Sequence, residues 1–322
     1  MGTRPDGFAG RTRAPEGFRH EALLYAGEDQ FVDRCASFVR GGLEAGEPTL
    51  VVAVGGKLAG LREELGADAS AVHFADMAEV GRNPARIIPA WHDFVERNAA
   101  PGVGLRGIGE PIFPEREAPE LVECERHESL LNLAFADAER FWLLCPYDVD
   151  ALPADVIEEA RRNHPFVANG ERRELSVDYR GTEAIPAALD SELPAPRGPV
   201  AELRFEAGAL EPLRRFVSEQ GLAAGLSRTG ALDLVVAANE IAANSLKHGG
   251  GEGILRIWPE PGKLLCEIRD RGRLDDPLVD RRPPRMDRPG GRGLWLANQL
   301  CELVQVRSGG DELIVRLHVA RP

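Results

Sequence analysis

The chain has 322 residues, 43% of them hydrophobic and 28% charged, with 52 acidic against 39 basic side chains and a net charge of −13. That length suffices for two domains with separate cores, and the acidic balance argues against direct nucleic-acid binding, which needs a basic patch. No apolar run reaches transmembrane length and the first residues are polar and glycine-rich, so neither membrane span nor signal peptide is expected, and the expected location is the cytoplasm.

Residues 1–18 lack apolar periodicity and read as a loose tail. From 19 to 180 short β-like runs (22–27, 49–55, 71–76, 104–110, 141–148 and 174–179) alternate with helical patterns at 28–45, 57–66, 84–100, 116–139 and 153–164. Such alternation predicts an α/β domain with a parallel sheet covered on both faces. Residues 181–200 are rich in Pro, Ala and small polar residues and read as a linker. In 201–322 the order changes. A strand at 201–206, helices near 211–222 and 229–248, and strands at 253–258 and 263–270 are followed by a Pro- and Arg-rich loop at 273–289. A helix at 293–302 and strands at 303–307 and 312–319 complete the chain. This predicts an α+β domain, with helices on one face of a mixed, mostly antiparallel sheet.

Within the helix at 229–248, Glu240, Asn244 and His248 recur every four residues with Lys247 beside them, and so share one face. Leu234, Val235, Ala238, Ile241, Ala242 and Leu246 form the opposite, apolar face. An amide oxygen can ligate a hard cation, and a carboxylate can take a proton from a hydroxyl. Gly249 follows, where a left-handed C-terminal cap is expected. Asp270-Arg271-Gly272 closes a strand-like run, and Gly290-Gly291-Arg292-Gly293 precedes an apolar helix beginning Leu294-Trp295. Glycines before a helix expose main-chain N–H groups to anions. Taken singly, each segment also fits an ordinary surface helix, turn or loop.

In this order the three segments resemble the N, G1 and G2 boxes of the Bergerat-fold (GHKL) ATPases, over roughly residues 200–322, and ExxxNSxKHG with GGRGLWL looks most like the anti-sigma kinases of the RsbW type. The resemblance implies ATP and Mg²⁺ as cofactors. Asn244 is then the Mg²⁺ ligand, Glu240 the general base or water-orienting residue, and Asp270 the acceptor for the adenine amino group. Lys247, His248 and Arg292 are phosphate neighbours, and Gly272, Gly291, Gly293 and Leu294 form the backbone cradle. Arg273 departs from the family's DxGxG form, in which a second glycine is common there. Five arginines (Arg281, Arg282, Arg285, Arg288 and Arg292) read as a solvated loop or a phosphate-facing lid.

In the N-terminal part, HEALLYAGEDQF (20–31), GLEAGEPTLVVA (42–53) and ECERHESLLN (123–132) resemble the MEDS sensory domain, which looks like a degenerate RecA/KaiC-type unit. VVAVGGK (51–57) occupies a phosphate-loop position but has Val51 and Leu58 where Gly and Ser/Thr belong, so an ATPase is not expected there. His20, Glu125 and His127 are the polar residues to watch, with satisfied hydrogen bonding expected before ligand binding. Trp91, Tyr25 and Trp142 are expected in the core. The five cysteines (Cys35, Cys124, Cys145, Cys266 and Cys301) form no CxxC pair, so buried thiols are expected and a structural zinc site is not.

Together these resemblances imply a serine/threonine kinase that binds a sigma factor and phosphorylates an anti-anti-sigma (STAS-type) partner under control of the sensory domain. Homodimerisation is a further implication of the family. Two alternatives stay open: a sensor histidine kinase phosphorylated on His127, and an ATP-binding scaffold without transfer activity.

Overall fold

The computed structural model describes residues 13–169, 172–181, 191–282 and 292–321. The chain divides into two compact units, Met1–Ala184 and Ile185–Pro322. No helix among the described residues is long and apolar enough to cross a membrane.

The first unit runs β1 (Gly17–Tyr25), α1 (Gly27–Ala45), β2 (Thr49–Ala53), α2 (Gly55–Leu65), β3 (His73–Asp76), α3 (Met77–Val80), α4 (Ile87–Asn98) and β4 (Leu105–Gly109). It continues with α5 (Ala118–Ala134), β5 (Arg140–Asp148), α6 (Ala154–Asn163), β6 (Phe166–Asn169) and β7 (Arg172–Leu175). The strands form one sheet in the order β3-β2-β4-β5-β1-β6-β7, parallel throughout except for the terminal β6–β7 pair. The continuous apolar runs become buried central strands because helices cover both faces. Leu23 and Tyr25 join Phe31, Cys35 and Phe38 of α1 and Leu58 and Leu61 of α2 in one core. On the other face, Gly107 lets Trp91 of α4 lie directly on the sheet; a Cβ at Gly107 would stand 2.8 Å from its ring. Tyr25, Trp91 and Trp142 are all buried, as the sequence predicts.

Two boundaries move. β1 starts at Gly17, inside the stretch read as a tail, and Ala14 is fully buried, its N–H donating to Glu47 Oε1 at 2.6 Å. The strand expected at 174–179 is confined to Arg172–Leu175, and β6 was not expected at all. Four residues following Pro165 carry too little periodicity to read; β6 is held by its pairing with β1.

The second unit contains β8 (Ala201–Glu206), α7 (Leu210–Ala223), α8 (Arg228–His248), β9 (Glu252–Glu260), β10 (Lys263–Asp270), α9 (Arg292–Leu300), β11 (Leu303–Gly309) and β12 (Glu312–Ala320). Its sheet order is β11-β12-β10-β9-β8, and every pairing is antiparallel, which corrects the mixed sheet expected. Tight turns account for much of this: Gly262 and Gly310 take φ of +71° and +60° at the β9–β10 and β11–β12 hairpins. Among the described residues of the linker, 191–200 hold no helix or strand.

α8 begins at Ser227, whose hydroxyl accepts from Gly230 N at 3.0 Å. Its face bearing Leu234, Ala238, Ile241 and Ala242 packs on Leu264, Cys266 and Ile268 of β10. The two-residue repeat of the strand that buries those side chains also puts Asp270 on the helix side. On the opposite face Glu267 accepts from Arg316 at 2.6 Å and from Arg269 at 2.6 Å. Leu234 is fully buried on the sheet-facing side of α8; Leu234→Ala is expected to destabilise this unit by about 2–5 kcal/mol, read as a lower urea midpoint with unchanged slope.

Candidate functional site

The end of β10, the end of α8 and the start of α9 meet in the second unit. Asp270 is 8% exposed. Its Oδ1 accepts from Gly272 N at 2.6 Å and its Oδ2 accepts from the Ser245 hydroxyl at 2.5 Å. Burial pushes the carboxyl above its ordinary range, against the opposing pull of these two donors. Ser245 also donates to Ile241 O at 3.1 Å and is itself buried. Sequence reading gave Ser245 no role; the available signal was a hydroxyl on the apolar face of α8.

Gly249 ends α8, though for a different reason from the one expected. Its φ of −103° and ψ of 24° are not left-handed. The backbone turns left-handed at Gly250 and Gly251, with φ of +91° and +83°. What residue 249 requires is the absence of a side chain: a Cβ there would stand 2.4 Å from Asp270 Cγ. Gly272 lies as close on the other side, where a Cβ would stand 2.7 Å from Asp270 Oδ1 and 3.4 Å from Gly249 Cα.

Gly293, in the first turn of α9, packs on the polar face of α8; a Cβ there would meet Asn244 Nδ2 at 2.7 Å and Glu240 Cβ at 3.4 Å. Glu240 is half-buried, while Asn244, Lys247, His248 and Arg292 are exposed around this contact. The Leu294 side chain belongs to the hydrophobic core, leaving only its main chain for a ligand. Gly291, Arg285 and Arg288 lie outside the described residues. Arg281, expected on a solvated loop or lid, is instead fully buried, 3.2 Å from Asp280, whereas Arg282 is exposed. A cavity of about 490 Å³ reaches Asp270 from the β8–β9 side, past Arg204, Glu206, Glu252 and Arg271, and shares only Asp270 with the predicted set.

The donor set fits a magnesium-bound nucleotide: an exposed amide and a neighbouring carboxylate on one helix face, exposed cations beside a helix start, and a buried carboxylate with spare acceptor capacity.

In the first unit, Gly55-Gly56-Lys57 opens α2 directly after β2. The Lys57 ammonium is bound to Glu110 and to the Tyr25 hydroxyl, the latter at 2.6 Å. His127 lies on α5 and is 1% exposed. Glu125 is partly buried on the same helix, and burial, with Glu159 and Asp155 nearby, pushes its carboxyl up to about 7. His20 meets neither of them; it meets Glu128, Cys145 and His164. All five cysteines are buried, and none is in a disulfide.

Residues 19–165 match the family model of the MEDS domain (methanogen/methylotroph, DcmR sensory domain), and residues 203–319 match the histidine kinase-like ATPase domain. No curated protein matches the chain. Among solved structures, the RsbU and RsbW domains of Rv1364c from Mycobacterium tuberculosis align at 17% identity with a TM-score of 0.30, over 39% of this chain and 34% of that one.

Gly249→Ala is expected to destabilise the second unit by about 1–3 kcal/mol through the clash with Asp270, while Gly56→Ala, with open space at its Cβ position, leaves stability within about 0.5 kcal/mol; urea denaturation measures both. Glu125 adds a pH term. Its folded pKa lies above the unfolded value of about 4.3, so its contribution to stability is complete below that value and is lost as pH rises through about 7. Glu125→Gln is therefore expected to stabilise the protein at pH 8 and to lose that advantage at pH 5, in parallel thermal melts.

Proposed function

For a chain that joins a MEDS-type domain to a histidine kinase-like ATPase domain, we propose an anti-sigma regulator whose C-terminal domain is an ATP-dependent serine/threonine kinase. The observation that carries this reading is the convergence of the three sequence boxes. Ser245 and Gly272 hold Asp270 against Gly249, and Gly293 seats α9 on Glu240 and Asn244. The N-terminal unit, read as a degenerate RecA/KaiC-like sensor, supplies the regulatory input.

Asp270 accepts the adenine amino group. A guanine presents a carbonyl there and leaves the acid unpaired, which selects adenine. Asn244 ligates Mg²⁺ through its amide oxygen, and Lys247, His248 and Arg292 balance phosphate charge. Gly293 and the main chain at Leu294 present N–H groups at the start of α9. Glu240 orients or deprotonates the attacking hydroxyl of the anti-anti-sigma partner. A magnesium ion held by Asn244 would supply charge neutralisation at the transferring phosphoryl group, and positioning would account for the rest of the acceleration. Sigma factor and anti-anti-sigma partner then compete for the ATP-binding unit.

Autophosphorylation on His127 is disfavoured because a phosphoacceptor must reach solvent and this imidazole is 1% exposed. Incubation with labelled ATP decides among the readings. Label on an added anti-anti-sigma protein supports kinase action, label on the chain itself contradicts it, and ATP binding without label leaves only the scaffold. Asp270→Ala is expected to weaken ATP binding by about 1.5–3 kcal/mol in calorimetry. Asn244→Ala is expected to abolish Mg²⁺-dependent transfer, and full transfer by that variant removes the metal role.

A further inference from the structure

Four side chains that the ATP-binding reading does not use converge in the core of the first unit. They are His20 of β1, Glu128 of α5, Cys145 of β5 and His164, just past the end of α6. His20 Nε2 lies 3.0 Å from Glu128 Oε2 and 3.3 Å from Cys145 Sγ, and His164 Nε2 lies 3.2 Å from the same Oε2. One donor atom from each residue falls within 4.8 Å of all the others, and none of the four residues is more than 1% exposed. A tetrahedral ion with bonds of about 2.0–2.3 Å sets its donors roughly 3.3–3.8 Å apart, close to these separations.

The surroundings orient both imidazoles for this. His164 Nδ1 is 2.7 Å from Ala160 O, an atom that only accepts, so Nδ1 carries hydrogen. His20 Nδ1 is 3.2 Å from Asn132 Oδ1. Asn132 is held that way round because its Nδ2 donates to Asn163 O at 2.8 Å. His20 Nδ1 therefore carries hydrogen too. In its neutral form each ring then presents its Nε2 lone pair to the centre, the tautomer of a metal-bound histidine with an outer hydrogen-bond acceptor. Two imidazole nitrogens thus face one buried carboxylate oxygen, a donor set that a divalent cation can bridge.

We propose that His20, Glu128, Cys145 and His164 bind one divalent transition-metal ion, with zinc the best fit, in a closed four-coordinate site. Two imidazoles, a thiolate and a single carboxylate suit zinc and are too soft for magnesium or calcium. The charges close: on binding, the Cys145 thiol releases its proton to solvent. Thiolate and carboxylate then cancel the divalent charge, so the filled site is neutral in a buried setting. With all four positions taken by protein and no exposure, the ion is structural, tying β1 and β5 to α5 and the end of α6.

The test uses the full chain, purified without a metal-affinity column or chelator, with metal content read by mass spectrometry. About one transition-metal ion per chain is expected. Loss of an outer partner alone costs roughly 10–100-fold in metal affinity, so Cys145→Ala and Glu128→Gln are each expected to lose at least that much. Because either variant can fail to fold, Co²⁺ is also added to chelator-stripped wild-type protein, where tetrahedral ligand-field bands and a thiolate charge-transfer band are expected. A folded wild-type chain without stoichiometric metal and without those bands overturns the site. So does metal retained undiminished in a folded Cys145→Ala variant.

Discussion

Asp270 can sit against the end of α8 only because residue 249 has no side chain, and much of the C-terminal site follows from that contact. A Cβ at 249 would fall 2.4 Å from the Asp270 carboxyl carbon, and one at 272 would fall 2.7 Å from its Oδ1. The same device recurs at Gly293, where α9 meets Asn244. Three glycines thus let a strand end pack on the end of α8 and a helix start pack on its polar face. The side chains that remain, Glu240, Asn244, Lys247, His248 and Arg292, are left around the contact. Such an arrangement leaves polar and charged side chains exposed beside the contact while keeping the apolar body of α8 on the sheet.

The electrostatics of Asp270 follow from the same packing. A buried carboxylate is costly unless it is hydrogen-bonded. Ser245 supplies one donor from α8 and Gly272 supplies another from the strand's own turn. Two donors occupy about half of a carboxylate's acceptor capacity. The remainder is free to read a donor on a ligand, and its raised pKa shows that burial outweighs the two bonds already made. Under the proposed adenine contact, structural anchoring and recognition use different lone pairs of one group.

The helical period made α8 and its polar row legible in the sequence, and the two-residue period made β10 legible, including the side to which Asp270 points. Local pattern failed where the reason for a residue lay across the fold. Gly249 read as a left-handed cap, yet its conformation is ordinary and the constraint is Asp270. β6 was too short to carry a period and exists through its pairing with β1. The quartet of His20, Glu128, Cys145 and His164 was invisible for a stronger reason. Each comes from a different element, with no short spacing between them, and only the β1–β5 pairing brings two of the four onto neighbouring strands. A zinc site is legible in a sequence through CxxC spacing, which this constellation does not use.

Lys57 gives a physical reason for placing the proposed nucleotide site in the C-terminal unit and not in the N-terminal one. It stands where a phosphate-loop lysine would, at the start of a helix after a parallel strand, but its ammonium is bound to Glu110 and Tyr25. Glu110 is 1% exposed. Drawing the lysine toward a phosphate would strip a buried carboxylate of its cation, and breaking such a pair costs about 3–5 kcal/mol. A nucleotide would have to supply that much before binding at all. In the C-terminal unit, by contrast, Lys247, His248 and Arg292 are exposed beside the contact of α8 with α9, so approach of phosphate there requires no such sacrifice. The N-terminal fold thus keeps a phosphate-loop outline while its charge is closed internally, which favours a signal other than a nucleoside triphosphate.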